Sequence, residues 1–145
     1  MKIINIGGKD YTFEFSIEAS LYSDCTESVM EFMFDVGSAQ TEQDTKKLLE
    51  TMTNIPHTAM TLFYAGLKEH HSMEVPNELV AKQLVKAHIK ENNANFYSII
   101  KDMLECMGDD GFFDLIGLTE MMSTEEAEVK QPKQPQDRKK KATKK

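Results

Sequence analysis

Side chains able to do chemistry are few in this chain, and they are scattered. His70-His71 offers two adjacent imidazoles. Successive residues on a helix point about 100° apart, and no third ligand follows at a metal-binding spacing; His57 and His88 sit on other segments. The pair reads as solvated histidines at a helix end. Asp109-Asp110-Gly111 resembles the opening of a calcium loop, with Glu120 at its twelfth position. Position three would be Gly111, position five Phe113 and the required glycine at six Asp114, so the ligands are missing. It reads as a helix stop. Cys25 and Cys106 have no cationic sequence neighbour to lower a thiol pKa and read as inert, buried or half-buried thiols. No Gly-rich phosphate loop, nucleophile elbow or His-Glu-x-x-His pattern occurs. A non-enzymatic protein is expected, with no catalytic residue, no metal and no cofactor.

The elements that would carry any other function fit one domain. The chain has 145 residues, 40% of them hydrophobic, enough for a single core. No apolar run approaches the roughly 20 residues that span a bilayer, so no membrane partner is expected. The Met1–Asn5 start lacks the apolar stretch of a secretory signal. Two cysteines far apart give neither a disulfide framework nor a zinc ribbon. These features read as cytosolic. Residues 1–118 hold nine Lys, no Arg and 19 Asp or Glu, net −10, while residues 119–145 hold eight Lys or Arg against five acids, net +3. So acidic a body repels phosphate backbones, and no specific nucleic acid is expected. Without Arg it also lacks the usual bidentate clamp for phosphate or carboxylate substrates. The terminal Lys139-Lys140-Lys141 and Lys144-Lys145 would attract nucleic acid only weakly and more often keep such an end in solution.

The spacing of apolar residues predicts a mainly α protein: a small helical domain over 1–118 with an N-terminal β-hairpin, then a disordered tail. Lys2–Ile6 is rich in β-branched residues and Tyr11–Phe15 alternates at period 2, with Gly7-Gly8-Lys9-Asp10 as the turn. Tyr11, Phe13 and Phe15 would share one face with Ile4 and Ile6. Four to six helices should follow. Ser16 is a good N-cap, and Ile17, Leu21, Cys25, Val29, Phe32 and Val36 repeat at helical steps. The weak helix formers Ser23–Thr26 leave open two helices in place of one. A polar linker over 38–44 precedes a short helix through Leu48, Leu49 and Met52, expected to close before Ile55-Pro56. Pro56 then opens a helix with Ala59, Met60, Phe63 and Leu67 on its apolar side. Asn77 caps a helix that turns Val80, Leu84, Ala87 and His88 one way; Phe96, Ile99, Ile100, Met103, Leu104 and Met107 mark the clearest helix. Past Leu118 the composition collapses to Glu, Lys, Gln, Pro and Thr, so 119–145 reads as the disordered tail.

Ten methionines and no tryptophan stand out. Flexible thioethers suit surfaces that bind several apolar helices loosely, and they equally fill cores. Met52, Met60, Met103 and Met107 lie on helical stripes and read as core. Met121 and Met122 lie past the last clear helix and are candidates for partner contact, with Phe112, Phe113, Leu115 and Ile116. For the two phenylalanines a terminal helix folded back on the core is the alternative and the better fit.

The start through Lys2-Ile3, Ile6-Gly7 and Tyr11-x-Phe13-x-Phe15, the run of short acidic amphipathic helices and the lysine-rich end resemble the tail assembly chaperones of long-tailed, siphovirus-type bacteriophages. The resemblance covers residues 1 to about 118 and is strongest over Lys2–Phe15, Leu48–Leu67 and Phe96–Leu118. It implies a protein of the infected host cytoplasm, absent from the mature virion, that binds the tape measure protein, keeps it soluble and helps recruit the tail tube protein. In that family a programmed frameshift near the end of the reading frame often yields a longer product, here with slippage at the codons of Lys139–Lys141 or Lys144–Lys145. A frameshifted longer form of this chain is then a further partner. Two other classes fit the same composition: a structural head–tail completion protein or other minor virion protein, and an acidic inhibitor imitating nucleic acid. The second would present carboxylates in paired rows, which this spacing lacks.

Overall fold

The computed structural model describes residues 1–38 and 45–129. Strands β1 (Lys2–Ile6) and β2 (Lys9–Phe13) form an antiparallel hairpin in which Ile4 pairs with Tyr11 and Ile6 with Lys9. The turn is two residues long, not four. Gly7 and Gly8 both take positive φ, 61° and 79°, which a tight turn of matching twist requires, so Lys9 and Asp10 are already strand. Ile4, Ile6, Phe13 and Phe15 share the buried face, as the alternation predicts, with Tyr11 at its margin.

Among the described residues seven helices follow: α1 (Ile17–Leu21), α2 (Ser23–Ser38), α3 (Thr45–His71), α4 (Glu78–Glu91), α5 (Phe96–Asp109), α6 (Phe112–Leu115) and α7 (Leu118–Val129). The fold is thus mainly helical with an N-terminal hairpin. The first helical stretch divides at Tyr22, just before the weak Ser23–Thr26 run. That break changes which residues are buried. Ala19 enters the core while Ile17 and Leu21 stay exposed; Cys25 and Val29 then continue on the core side. Tyr22 anchors the break: its ring meets Tyr64 edge-on at 5.5 Å, its hydroxyl donates to Glu78, and Lys68 Nζ lies 5.0 Å from its centroid.

Helix α3 corrects the expectation of two helices meeting at Pro56. It runs unbroken through the proline. A proline inside a helix costs about 3 kcal/mol, and burial on both sides offsets it: Thr51 precedes it in the core, and Thr58, Ala59 and Thr61–Leu67 are all buried after it. The carbonyl that Pro56 leaves without an amide donor belongs to Met52, which is exposed where water can reach it. Met52, expected in the core, is therefore at the surface; Met103 and Met107 are fully buried and Met60 partly so.

α3 is the axis of the core. It packs against α1, α2, α4, α5 and β2, so its Thr58–Leu67 stretch is buried almost all round, unlike a one-sided surface helix, while most of its N-terminal half stays exposed. Phe13 and Phe63 meet edge-on at 4.8 Å, a geometry worth about 0.5–1.5 kcal/mol beyond area burial. α3 also covers the outer edge of β2: the Thr12 amide donates to His71 Nε2 at 2.9 Å and the Glu14 amide to the Gly66 carbonyl at 2.9 Å. An open strand edge would invite pairing with other chains; here the helix occupies it. Asn77 caps α4 through the Val80 amide at 3.1 Å, and Asn95 with Ser98 forms a reciprocal capping box on α5. On α4 the fully buried residues are Ala81, Val85 and His88, with Val80, Leu84 and Ala87 partly buried beside them.

The composition break at Thr119 does not end the helical chain. α7 continues to Val129, and Met121 and Met122, expected outside any helix, lie within it. Leu118, Met121 and Met122 line one groove with apolar residues of α2, a juxtaposition that composition does not reveal. The rest of the expected tail, 130–145, and linker positions 39–44 lie outside the described residues.

Candidate functional site

Six residues were expected at a partner surface, and the structure separates them. Phe112 is fully buried, its ring edge-on to Phe15 at 5.8 Å and to Phe113 at 6.2 Å. Phe113 and Ile116 pack partly buried against the same core. The helix folds back, the alternative that the sequence left open for the phenylalanines. Leu115 is half exposed on α6, while Met121 and Met122 are 64% and 57% exposed on α7.

Of the six, Met121 and Met122 line a groove shared with another helix. Met30, Met33 and Phe34 of α2 and Leu118, Met121 and Met122 of α7 enclose about 220 Å³. Every lining side chain is apolar, and four are methionines. α7 is set beside α2 by Gly117, whose φ of 78° ends α6 and redirects the chain; its carbonyl accepts from the Met121 amide at 3.1 Å. Phe34, 67% exposed, is the largest accessible side chain there. The sequence reading missed Met30, Met33 and Phe34. Their i, i+3, i+4 spacing is a helical face, offset by one residue from the Val29 and Phe32 stripe that faces the core.

A second apolar groove of about 250 Å³ lies between α3 and α4, with Met60, Val85 and Ile89 in its wall and His57, Lys82 and Lys86 around it. Its charged side chains are cationic. The first groove is bordered by helices that carry no cation at all: α2 holds Asp24, Glu27, Glu31 and Asp35, and α7 holds four glutamates.

The other candidate groups are engaged in holding the fold together. His71 accepts from the Thr12 amide and contacts Glu74 at 3.2 Å, and His70 pairs with Glu14. These histidines tie α3 to the hairpin; they are not simply solvated. Asp110, read as part of a helix stop, is the C-cap of α5 and a junction besides. Its carboxylate accepts from the Phe15 amide at 2.9 Å, from the Cys106 thiol at 3.4 Å and from the Met1 amino group. Partial burial pushes the Asp110 pKa up, but these donors outweigh it and hold the carboxyl below its ordinary range. Burial pushes the Cys25 thiol up to about 12, and burial with the neighbouring Asp110 pushes Cys106 up to about 11. Both stay protonated and poorly nucleophilic at neutral pH. His88 is held below its ordinary value by burial. Among the described residues no three His, Cys, Asp or Glu side chains converge as a metal site, and no helix is long and apolar enough to cross a membrane.

No relative decides between these surfaces. No family model matches the chain, and no curated protein or solved structure matches it significantly.

Proposed function

We propose that this protein is a non-enzymatic tail assembly chaperone of a long-tailed phage, acting in the host cytoplasm and absent from the mature virion. It binds the tape measure protein, keeps it soluble and helps bring tail tube subunits to it; a frameshifted longer form would share the same groove. The observation that supports the reading is the methionine-lined groove between α2 and α7, open at the surface of a strongly acidic body. A tape measure protein is too long to bury its apolar stripe before the tube encloses it. A chaperone for it must offer an adaptable apolar groove and a charge that keeps the complex dispersed. Modest affinity per copy, with many copies along one partner, gives strong covering by multivalency and still permits release.

Co-expression with the tape measure protein tests this. The wild-type chain should raise the soluble fraction of the partner, and Met121→Asp or Phe34→Asp should abolish the gain. Leu115→Asp, off the groove, should retain it. A partner equally soluble with no chaperone present sinks the reading. Finding the chain in purified virions by mass spectrometry would favour a structural component instead.

A further inference from the structure

The groove between α2 and α7 has a charge character that restricts what can lie in it. Glu27 stands three residues before Met30 and Glu31 three before Phe34, so each exposed carboxylate neighbours a groove residue on the surface of α2. Neither α2 nor α7 contains a Lys or Arg. We infer that the groove's occupant is an amphipathic helix whose apolar stripe is flanked by Lys or Arg, a deepening that rests on the chaperone reading of this same groove. Apolar anchors one turn apart, at i and i+3 or i+4, enter between such helices in the helix-in-groove mode. Cations beside them meet the α2 carboxylates, while an acidic helix of equal apolarity is repelled.

Two nearer occupants are excluded by the same chemistry. A second copy offering its own α2 or α7 would bring acid to acid. Residues 130–145 have the right charge but hold no apolar side chain larger than proline to fill a groove of this size.

The test uses the full chain and three synthetic peptides of about 18 residues, long enough to lay five turns in a groove. One carries a leucine stripe flanked by lysines, one the same stripe flanked by glutamates, and one is a scramble of the lysine peptide without a stripe. Titration calorimetry at about 50 and 300 mM salt should show the lysine-flanked peptide binding at least about tenfold tighter than either other, less so at high salt. Phe34→Asp should remove that binding. Glu27→Lys with Glu31→Lys, both at exposed positions, should reverse the preference towards the glutamate peptide, and Lys82→Glu with Lys86→Glu should leave it unchanged. Equal binding of the two striped peptides overturns the inference, as does equal binding of the scramble or a preference untouched by the α2 charge reversal. If the lysine peptide binds as described while co-expression leaves the tape measure protein insoluble, the chaperone reading fails and the groove chemistry stands. A solubilised tape measure protein with no lysine preference gives the converse.

Discussion

Gly66 and Phe13 approach so closely that a methyl group on the glycine would lie 2.9 Å from Phe13 Cδ1, and 3.2 Å from Phe15 Cζ. The hairpin lies directly on the α3 backbone at this point, with the Glu14 amide donating to the Gly66 carbonyl. Both rings are fully buried, so neither can swing away into solvent.

Gly66→Ala therefore sets two effects against each other. Alanine favours a helix interior over glycine by about 1 kcal/mol, but overpacking a tight core costs about 1–3 kcal/mol. With two immobile rings at the contact the clash should win. The thermal midpoint should fall, and a rise would show that the hairpin can lift off α3.

Pro56→Ala should act in the opposite direction. It restores an amide donor to the Met52 carbonyl and recovers about 3 kcal/mol of helix propensity. The freer unfolded chain takes back about 0.4–1 kcal/mol. A net gain of about 2 kcal/mol is expected in urea unfolding, with an unchanged m-value. Destabilisation would mean that the proline fixes a helix bend that the core needs.

Asp110→Asn should cost roughly 1–3 kcal/mol, because the Phe15 amide, the Cys106 thiol and the Met1 amino group lose a charged acceptor together. Hydrogen exchange at the Phe15 amide should accelerate more than exchange in α4. Uniform acceleration would show that Asp110 does not specifically hold the hairpin end.

His88 should make stability depend on pH. Burial lowers its pKa in the folded state, with Asp102 and Glu91 acting upward and Lys2 downward. Its Nδ1 faces the Asn92 side chain at 2.8 Å, and its ring lies 6.2 Å from that of Phe63. Below the unfolded value near 6.5 the unfolded chain binds the extra proton, so stability is full above that pH and falls as pH drops through it towards the folded pKa. The midpoint should decline as pH falls below about 6.5. In His88→Asn that slope should flatten even though the variant is less stable throughout; an unchanged slope assigns the titration elsewhere.

What the sequence reveals here is whatever its local pattern determines. Ile4, Ile6, Phe13 and Phe15 fall on one face because strand period is two, and Asn77 and Asn95 cap because capping is settled within four residues. Pro56 misleads because its local preference is overridden by contacts of α3 with five other elements. Tyr22 misleads because one non-helical residue changes which side of the chain is buried, placing Ile17 and Leu21 outside and Ala19 inside. Of the α7 side of the groove, Met121 and Met122 are legible. The α2 side, Met30, Met33 and Phe34, lies about ninety residues away in sequence and becomes a surface only when α7 comes alongside.

The bond from the Phe15 amide to Asp110 spans 95 residues, and that span has a meaning for a chain being synthesised. At about 5–20 residues per second, translation needs roughly 5–20 s to pass from one to the other. During that interval Phe13 and Phe15 have been made, while α5 and α6, which complete their burial, have not. Two-stranded hairpins are marginal alone, so the nascent chain leaves these two aromatic rings incompletely covered for most of its own synthesis. Its greatest aggregation risk thus falls before the protein is finished, and translation speed over residues 16–110 becomes a determinant of yield.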